Sequence, residues 1–240
     1  MALITVRHRF DLGRTFVLAP ERYDPRRESL KTGSATEKTV PLGTIASTVR
    51  QTINPQTRSA DGCQYVILDT SDVREGIVIG KKKPVPLSEV GSAKKKFQRS
   101  DVLISRLRPY LRQVAFVDDE VIGKEIEVDF ACSTEFFVLR PNTSESIAFL
   151  VPFLLSSPVQ NVLAASQEGG HHPRFDEEAL LTLPVPEALL AKRADCSAEV
   201  IRAVAFYRLS ERILTHFVEG AESAIAQKQP ANRTKRTSQR

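Results

Sequence analysis

The order of apolar and polar positions divides the chain into regions of different character. From "VPLGTIASTV" onward, short apolar runs rich in β-branched residues are separated by turn signals: "YVILDT", "GIVIG", "DVLIS", "QVAFV" and "EIEVDFACSTEFFVLRP". Runs of this length bounded by Gly, Asp, Ser and Pro predict the strands of a mainly β domain. "SESIAFLVPFLLSSPVQNVLAAS" then changes to helical spacing. It predicts two helical pieces broken at Pro158, with Ser144 as N-cap and Pro152 starting or kinking the first. Asp176 is placed to cap a short helix through "EEALLTL", after which "LPVP" at 183–186 forces extended backbone and closes the domain.

Beyond Pro186 the pattern differs in kind. From Glu187 to Gln227 there is no proline and a single glycine, Gly220, and apolar residues recur at Phe206, Leu209, Ile213, Phe217, Ala221 and Ala224. A spacing of three or four predicts one long amphipathic helix of roughly 50 to 60 Å at 1.5 Å per residue. Such a helix outruns a small domain, so its stripe is expected to meet another helix; a solitary core helix is the alternative. Residues 1–40, with "APERYDPRRES" and "KTGSATEK", read as an arm or lead-in, and residues 228–240 as a disordered basic tail. The expected fold class is α+β: a twisted, mainly β domain with short helices over 41–186, then the long helix over 187–227.

With 240 residues and 41% apolar side chains the chain can bury a real core. Its net charge of +5 conceals an asymmetry. Residues 1–117 carry 21 Lys/Arg against 11 Asp/Glu, residues 118–226 carry 8 against 18, and residues 227–240 carry 5 against none. Within 81–112 ten basic side chains face two acidic ones, Glu89 and Asp101. That density suits a polyanion, nucleic acid being the commonest; the alternative is a solvated face balanced by the acidic half. No apolar run reaches signal-peptide or membrane-spanning length, so a soluble cytoplasmic protein with no membrane partner is expected. Cys63, Cys132 and Cys196 lie far apart without C-x-x-C spacing and read as small buried hydrophobes.

Catalytic signatures are missing: no G-x-x-x-x-G-K-[ST], no G-x-G-x-x-G after a strand, no H-E-x-x-H and no G-x-S-x-G. The adjacent pair His171 and His172 in "EGGHHPR" cannot easily face one metal, and "DDE" at 118–120 reads as a solvated turn. A binding module is therefore preferred to an enzyme, with no cofactor or metal of its own. If "SDVLISRLRPYLRQVAFV" runs extended, Arg106, Arg108, Tyr110 and Arg112 share one side while Leu107, Pro109 and Leu111 take the other. Three guanidiniums and a phenol on one face suit phosphate oxygens and the O6/N7 edge of guanine; the alternative for each arginine is a carboxylate of the acidic half. Lys81, Lys82 and Lys83 and Lys94, Lys95 and Lys96 flank "PVPLSEVGS" as non-specific phosphate contacts, with His172 and Arg174 as weaker candidates.

Taken in order, "PLGTIASTV", "YVILDTSDVREGIV", "DVLISRLRPYLRQVAFV", "ACSTEFFVLRP", "GGHHPRFDEEALLTLPVP" and the long helix resemble one target recognition domain of a type I restriction–modification specificity (S) subunit with its conserved helix, over about residues 40–226. "ERYDPR" at 21–26 is similar to the lead-in of such domains. The resemblance implies a protein without chemistry of its own that reads half of a split site in double-stranded DNA. Its helix would pair with a second such helix and dock DNA methyltransferase subunits, which bring the S-adenosylmethionine, with a restriction/translocase subunit joining for restriction. Complete S subunits carry two recognition domains and two helices, so one of each looks like a half subunit. Two copies joined through their helices would read a palindromic, interrupted site; alternatively one copy serves a different phage-defence assembly. The helix lacks the expected Glu-Gln-rich opening, which leaves open whether it pairs with itself or with another chain. The rival readings are a non-catalytic assembly scaffold binding protein or RNA partners, and an enzyme with a divergent active site.

Overall fold

The β-branched runs pair into two sheets. The computed structural model describes residues 6, 8–12, 38–55, 63–80, 82–122, 128–167 and 173–226; most of the expected arm and the whole of the expected basic tail lie outside them. The described strands are β1 (Thr39–Pro41), β2 (Ala46–Thr48), β3 (Thr52–Ile53), β4 (Gln64–Leu68), β5 (Val73–Arg74), β6 (Ile77–Val78), β7 (Val85–Pro86), β8 (Lys94–Lys96), β9 (Val102–Ser105), β10 (Val114–Phe116), β11 (Val128–Ser133), β12 (Phe136–Pro141) and β13 (Pro184–Pro186). The described helices are α1 (Asp119–Ile122), α2 (Leu150–Leu155), α3 (Ser157–Ala165), α4 (Glu177–Leu181), α5 (Glu187–Ala191) and α6 (Arg193–Ala226). One sheet has the order β10-β9-β12-β2 and is antiparallel throughout. The other has the order β3-β8-β11-β4-β7 and is mixed, since β11 and β4 run parallel.

The antiparallel sheet is buried on both faces, which is why its strands read as unbroken apolar runs rather than as alternating ones. Because side chains alternate along a strand, each strand feeds two clusters. Val102 and Ile104 of β9, Val114 and Phe116 of β10, and Phe137 and Leu139 of β12 pack with Ile147–Val151, Phe153, Leu154, Val159, Leu163, Phe175 and Leu180 of the helical segments. Leu103, Ala115, Phe136 and Val138 take the opposite side with Leu68, Val73, Phe97 and Cys132. Cys132 is fully buried, and burial pushes its thiol up to about 12. Arg140 grips the buried Asp101 with two hydrogen bonds, of 2.9 and 2.7 Å, and the Gln98 N–H donates to the same carboxylate.

The two ends of this unit are stitched together by β1 and β13, with Thr39 beside Pro186 and Pro41 beside Pro184. "LPVP" thus runs extended as its composition suggests, and its prolines sit in a two-stranded ribbon where ladder donors are dispensable. Asp176 caps α4 by accepting from the Ala179 N–H at 2.7 Å. Ser144 does not cap: α2 begins after Phe149, so Pro152 falls in its first turn, where a backbone N–H is not needed. Pro158 occupies the same favourable place in α3.

The helix expected from Glu187 is divided at Lys192 into α5 and α6. Cys196 and Val200 pack against the main core, and the Ser197 hydroxyl accepts from the Phe149 N–H at 3.2 Å. Accordingly the first compact unit extends to Ile201, and a second unit begins at Arg202. Within the second, a stripe of apolar residues on α6 stands in solvent: Phe206 and Phe217 are 64% and 70% exposed, and Leu209, Ile213 and Ala221 are exposed with them. Leu214, Val218 and Ile225 widen that stripe beyond the residues the spacing singled out. No described helix is long and apolar enough to cross a membrane.

The β5–β6 hairpin turns through Glu75 (φ 45°) and Gly76 (φ 105°), positive values that a two-residue hairpin requires. Its tip docks on β10: the Gly76 N–H donates to the Val114 carbonyl at 2.7 Å, and the Phe116 N–H donates back to the Gly76 carbonyl at 3.1 Å. A Cβ at Gly76 would stand 3.4 Å from Val151 Cγ1. Gly76→Ala is therefore expected to destabilise by about 1 kcal/mol or more through backbone strain. Thermal denaturation should show this as a Tm lowered by about 2 to 4 °C per kcal/mol for a domain of this size.

Candidate nucleic-acid interface

Between β9 and β10 the chain does not run extended. Pro109–Leu111 form a 3-10 turn flanked by two residues in left-handed conformation, Arg108 (φ 45°, ψ 68°) and Arg112 (φ 53°, ψ 37°). The Leu111 N–H donates to the Arg108 carbonyl and the Arg112 N–H to the Pro109 carbonyl, both at 2.8 Å. The shared face expected of Arg106, Arg108, Tyr110 and Arg112 is not formed, because strand parity fails once the backbone coils. Instead Pro109 is buried, while Arg108, Tyr110 and Leu111 stand in solvent, Tyr110 being 69% exposed.

The arginines have separate local roles. Arg106 Nε donates to Glu135 Oε2 at 2.8 Å. Arg174 grips the same carboxylate, Nε to Oε2 at 2.9 Å and Nη2 to Oε1 at 2.7 Å. Backbone bonds reinforce this junction: Arg106 N–H to the Glu135 carbonyl at 2.9 Å, and Phe175 N–H to the Arg106 carbonyl at 3.2 Å. Thus the β9–β10 loop, the β11–β12 turn and the segment before α4 meet at one carboxylate. The Arg174 hydrogen bonds, and then those of Arg106, hold the Glu135 carboxyl down at about 2 against the opposing effect of burial. Arg112 is a strut: Nη1 donates to the Leu155 carbonyl at the end of α2 at 2.8 Å, and Nε lies 3.2 Å from Glu75 Oε1. A cation at a helix carboxy terminus also meets the negative end of the helix dipole. Arg108 differs, for among the described residues its guanidinium has no acceptor.

The lysines are placed differently from their expected loop positions. Lys94–Lys96 form β8, inside the mixed sheet. Lys95 Nζ donates to the Phe136 carbonyl at 2.7 Å and lies 5.1 Å from the centre of the Phe137 ring, and burial lowers its pKa. Lys96 pairs with Asp129 at 2.7 Å, Lys94 donates to the Ser92 hydroxyl, and Lys82 pairs with Asp72 at 2.8 Å. Only Lys83 of the described lysines in the two triplets is exposed without such a contact. Lys81 and His172 lie outside the described residues. Near Lys95, Glu177 accepts from the Thr48 hydroxyl and from Arg50, and these bonds hold its carboxyl below the usual carboxylate range.

Sequence reasoning missed Glu135. Its partners lie 29 and 39 residues away, and nothing in "STEFF" marks that glutamate above the others of the acidic half. A carboxyl held below its ordinary value of 4.5 stabilises the fold above that value and loses its contribution as pH falls toward about 2. In acid titrations of thermal stability, wild type should therefore fall between about pH 4.5 and 2, and Glu135→Gln should flatten that part of the curve. At neutral pH the same variant is expected to be less stable by about 1 to 3 kcal/mol, the worth of a hydrogen bond to a charged group.

No protein-family model and no curated relative matches the sequence. Solved structures do. A chain from a study of complex assembly and conformational transition of a type I R-M system shares 22% identity and a TM-score of 0.53, over 83% of this chain and 51% of that one. The HsdS subunit from Thermoanaerobacter tengcongensis shares 20% identity and a TM-score of 0.52, over 85% of this chain and 52% of that one. The chain thus spans about half the length of the structures it matches, and at these identities the likeness is one of fold. With its two sheets, short helices and long carboxy-terminal helix, this chain has the α+β fold of a type I R-M S subunit.

Proposed function

We propose that this chain is a sequence-specific DNA-recognition subunit of a type I restriction–modification-like, phage-defence assembly. It reads half of a split site with the β9–β10 loop and docks methyltransferase subunits through α6, performing no chemistry itself. The observation that carries this reading is the exposed Arg108–Leu111 tip, held on an S-subunit-like fold by the Glu135 junction and by Arg112. Base edges are read by side chains presented from rigid elements, and the paired but still part-exposed Arg106 and Arg174 are available to phosphates. The exposed apolar stripe of α6 supports an assembly role, either with a second copy, as a homodimer, or with another S-like chain.

A second reading, a scaffold for protein or RNA partners, draws on the internal pairing of Arg106, Arg112 and Arg174, which reduces the charge left for DNA. Two measurements separate them. DNA recognition predicts that the full chain binds duplex DNA with an affinity that falls linearly in log–log form with salt and that distinguishes sequences. The scaffold predicts no discrimination among duplexes. Co-expression with a type I methyltransferase subunit should give co-purification that Ile213→Asp abolishes without lowering the Tm, because Ile213 is 49% exposed. Duplex affinity that is weak, indifferent to sequence and unchanged by the methyltransferase would defeat the recognition reading.

A further inference from the structure

Among the described residues four that are not glycine have positive φ: Glu75, Ser100, Arg108 and Arg112. A left-handed backbone is unfavourable for a residue with a side chain, so each position invites the question of what offsets it. For Glu75 and Arg112 the answer is their mutual ion pair, together with the Arg112 bond to the Leu155 carbonyl. Ser100 is small and turns the chain into β9, its N–H donating to the Val117 carbonyl at 3.0 Å. Arg108 has no such explanation. Its side chain is exposed, its guanidinium has no acceptor among the described residues, and it precedes a proline, which itself restricts the backbone. Glycine or asparagine would hold this turn at lower cost.

We infer that Arg108 is a specificity-determining residue, kept at a strained position because its guanidinium makes a bidentate contact with guanine in the major groove. This rests on the DNA-recognition reading above and adds which residue discriminates and which base it selects. The turn is suited to the task. Arg108 starts it, buried Pro109 anchors it, and Arg112 ties its far end to α2, so the fork is presented on backbone already fixed before binding. Tyr110 and Leu111, 69% and 42% exposed, stand beside it as the apolar flank that excludes water from the contact. Arginine is the side chain whose planar donors match the O6/N7 pair of guanine, and in double-stranded DNA that pair lies in the major groove.

The test uses the full chain and a randomised duplex library, comparing wild type with Arg108→Asn and Arg108→Lys. Asparagine tolerates the left-handed conformation, so Arg108→Asn should melt at the same temperature as wild type or higher. It should lose about 5- to 150-fold of the preference for G·C at one position while the rest of the selected motif persists. Arg108→Lys keeps the charge without the planar fork and should recover overall affinity more than discrimination. A clear drop in Tm for Arg108→Asn would make Arg108 a structural residue and overturn the inference. If wild type and Arg108→Asn select the same motif, the inference fails while the DNA-recognition reading stands. If wild type enriches no motif, either alone or with the methyltransferase subunit, that reading fails and the inference with it.

Discussion

The geometry of the candidate interface depends on one carboxylate. Glu135 lies in the turn between β11 and β12, and it receives Arg106 from the β9–β10 loop and Arg174 from the segment before α4. Two guanidiniums brought this close repel one another unless an anion lies between them, and the fork-to-carboxylate geometry is the strongest form that such a bond takes at a protein surface. The partners are 29 and 39 residues from Glu135, so the junction ties together loops far apart in sequence, beside the single bridge between Leu107 and Arg174. Its side chain is only 21% exposed, which limits screening by salt and solvent.

Internal pairing of this kind changes what the basic composition means. The density of Lys and Arg between 81 and 112 suggests a broad cationic face, yet Lys82, Lys95, Lys96, Arg106 and Arg112 all have acceptors within the fold. Much of that charge holds strands and loops together. Within that segment, the charge that reaches solvent without a partner among the described residues is narrower: Arg108 at the tip of its turn, and Lys83. A counted charge states how many cations a segment carries; only their acceptors determine how many of them are left for a ligand.

The parts of this fold that were legible in the sequence are those governed by local rules. Strands β9, β10 and β12 were visible because both of their faces are buried, and Asp176 was visible because an N-cap needs only the next turn of helix. The stripe on α6 came from spacing alone. Legibility stopped where the next residues did not decide the outcome. Ser144 had the chemistry of a cap, but packing of Ile147, Ala148 and Phe149 into the core starts α2 later. Strand parity placed four side chains on one face, and Pro109 with its two left-handed neighbours removed that face. The lysines of β8 looked like a loop because they are charged, yet pairing with β3 and β11 makes them a central strand whose amines find acceptors around it.

Rigidity at the β9–β10 turn arises from these same contacts and bears on any ligand the turn meets. The junction at Glu135 fixes where the turn leaves β9, and the Arg112 strut to the Leu155 carbonyl fixes where it returns to β10. Buried Pro109 removes the remaining freedom between them. The conformational entropy of ordering such a loop is thus lost on folding, when the buried sheet can offset it, rather than on binding. A loop fixed in advance also resists adapting to a mismatched surface, since moving its tip would require breaking bonds to Glu135, Glu75 or the end of α2. Strain at Arg108 and stiffness around it are therefore two consequences of one arrangement, in which the core and its ion pairs hold a small exposed tip in a shape that its own sequence does not favour.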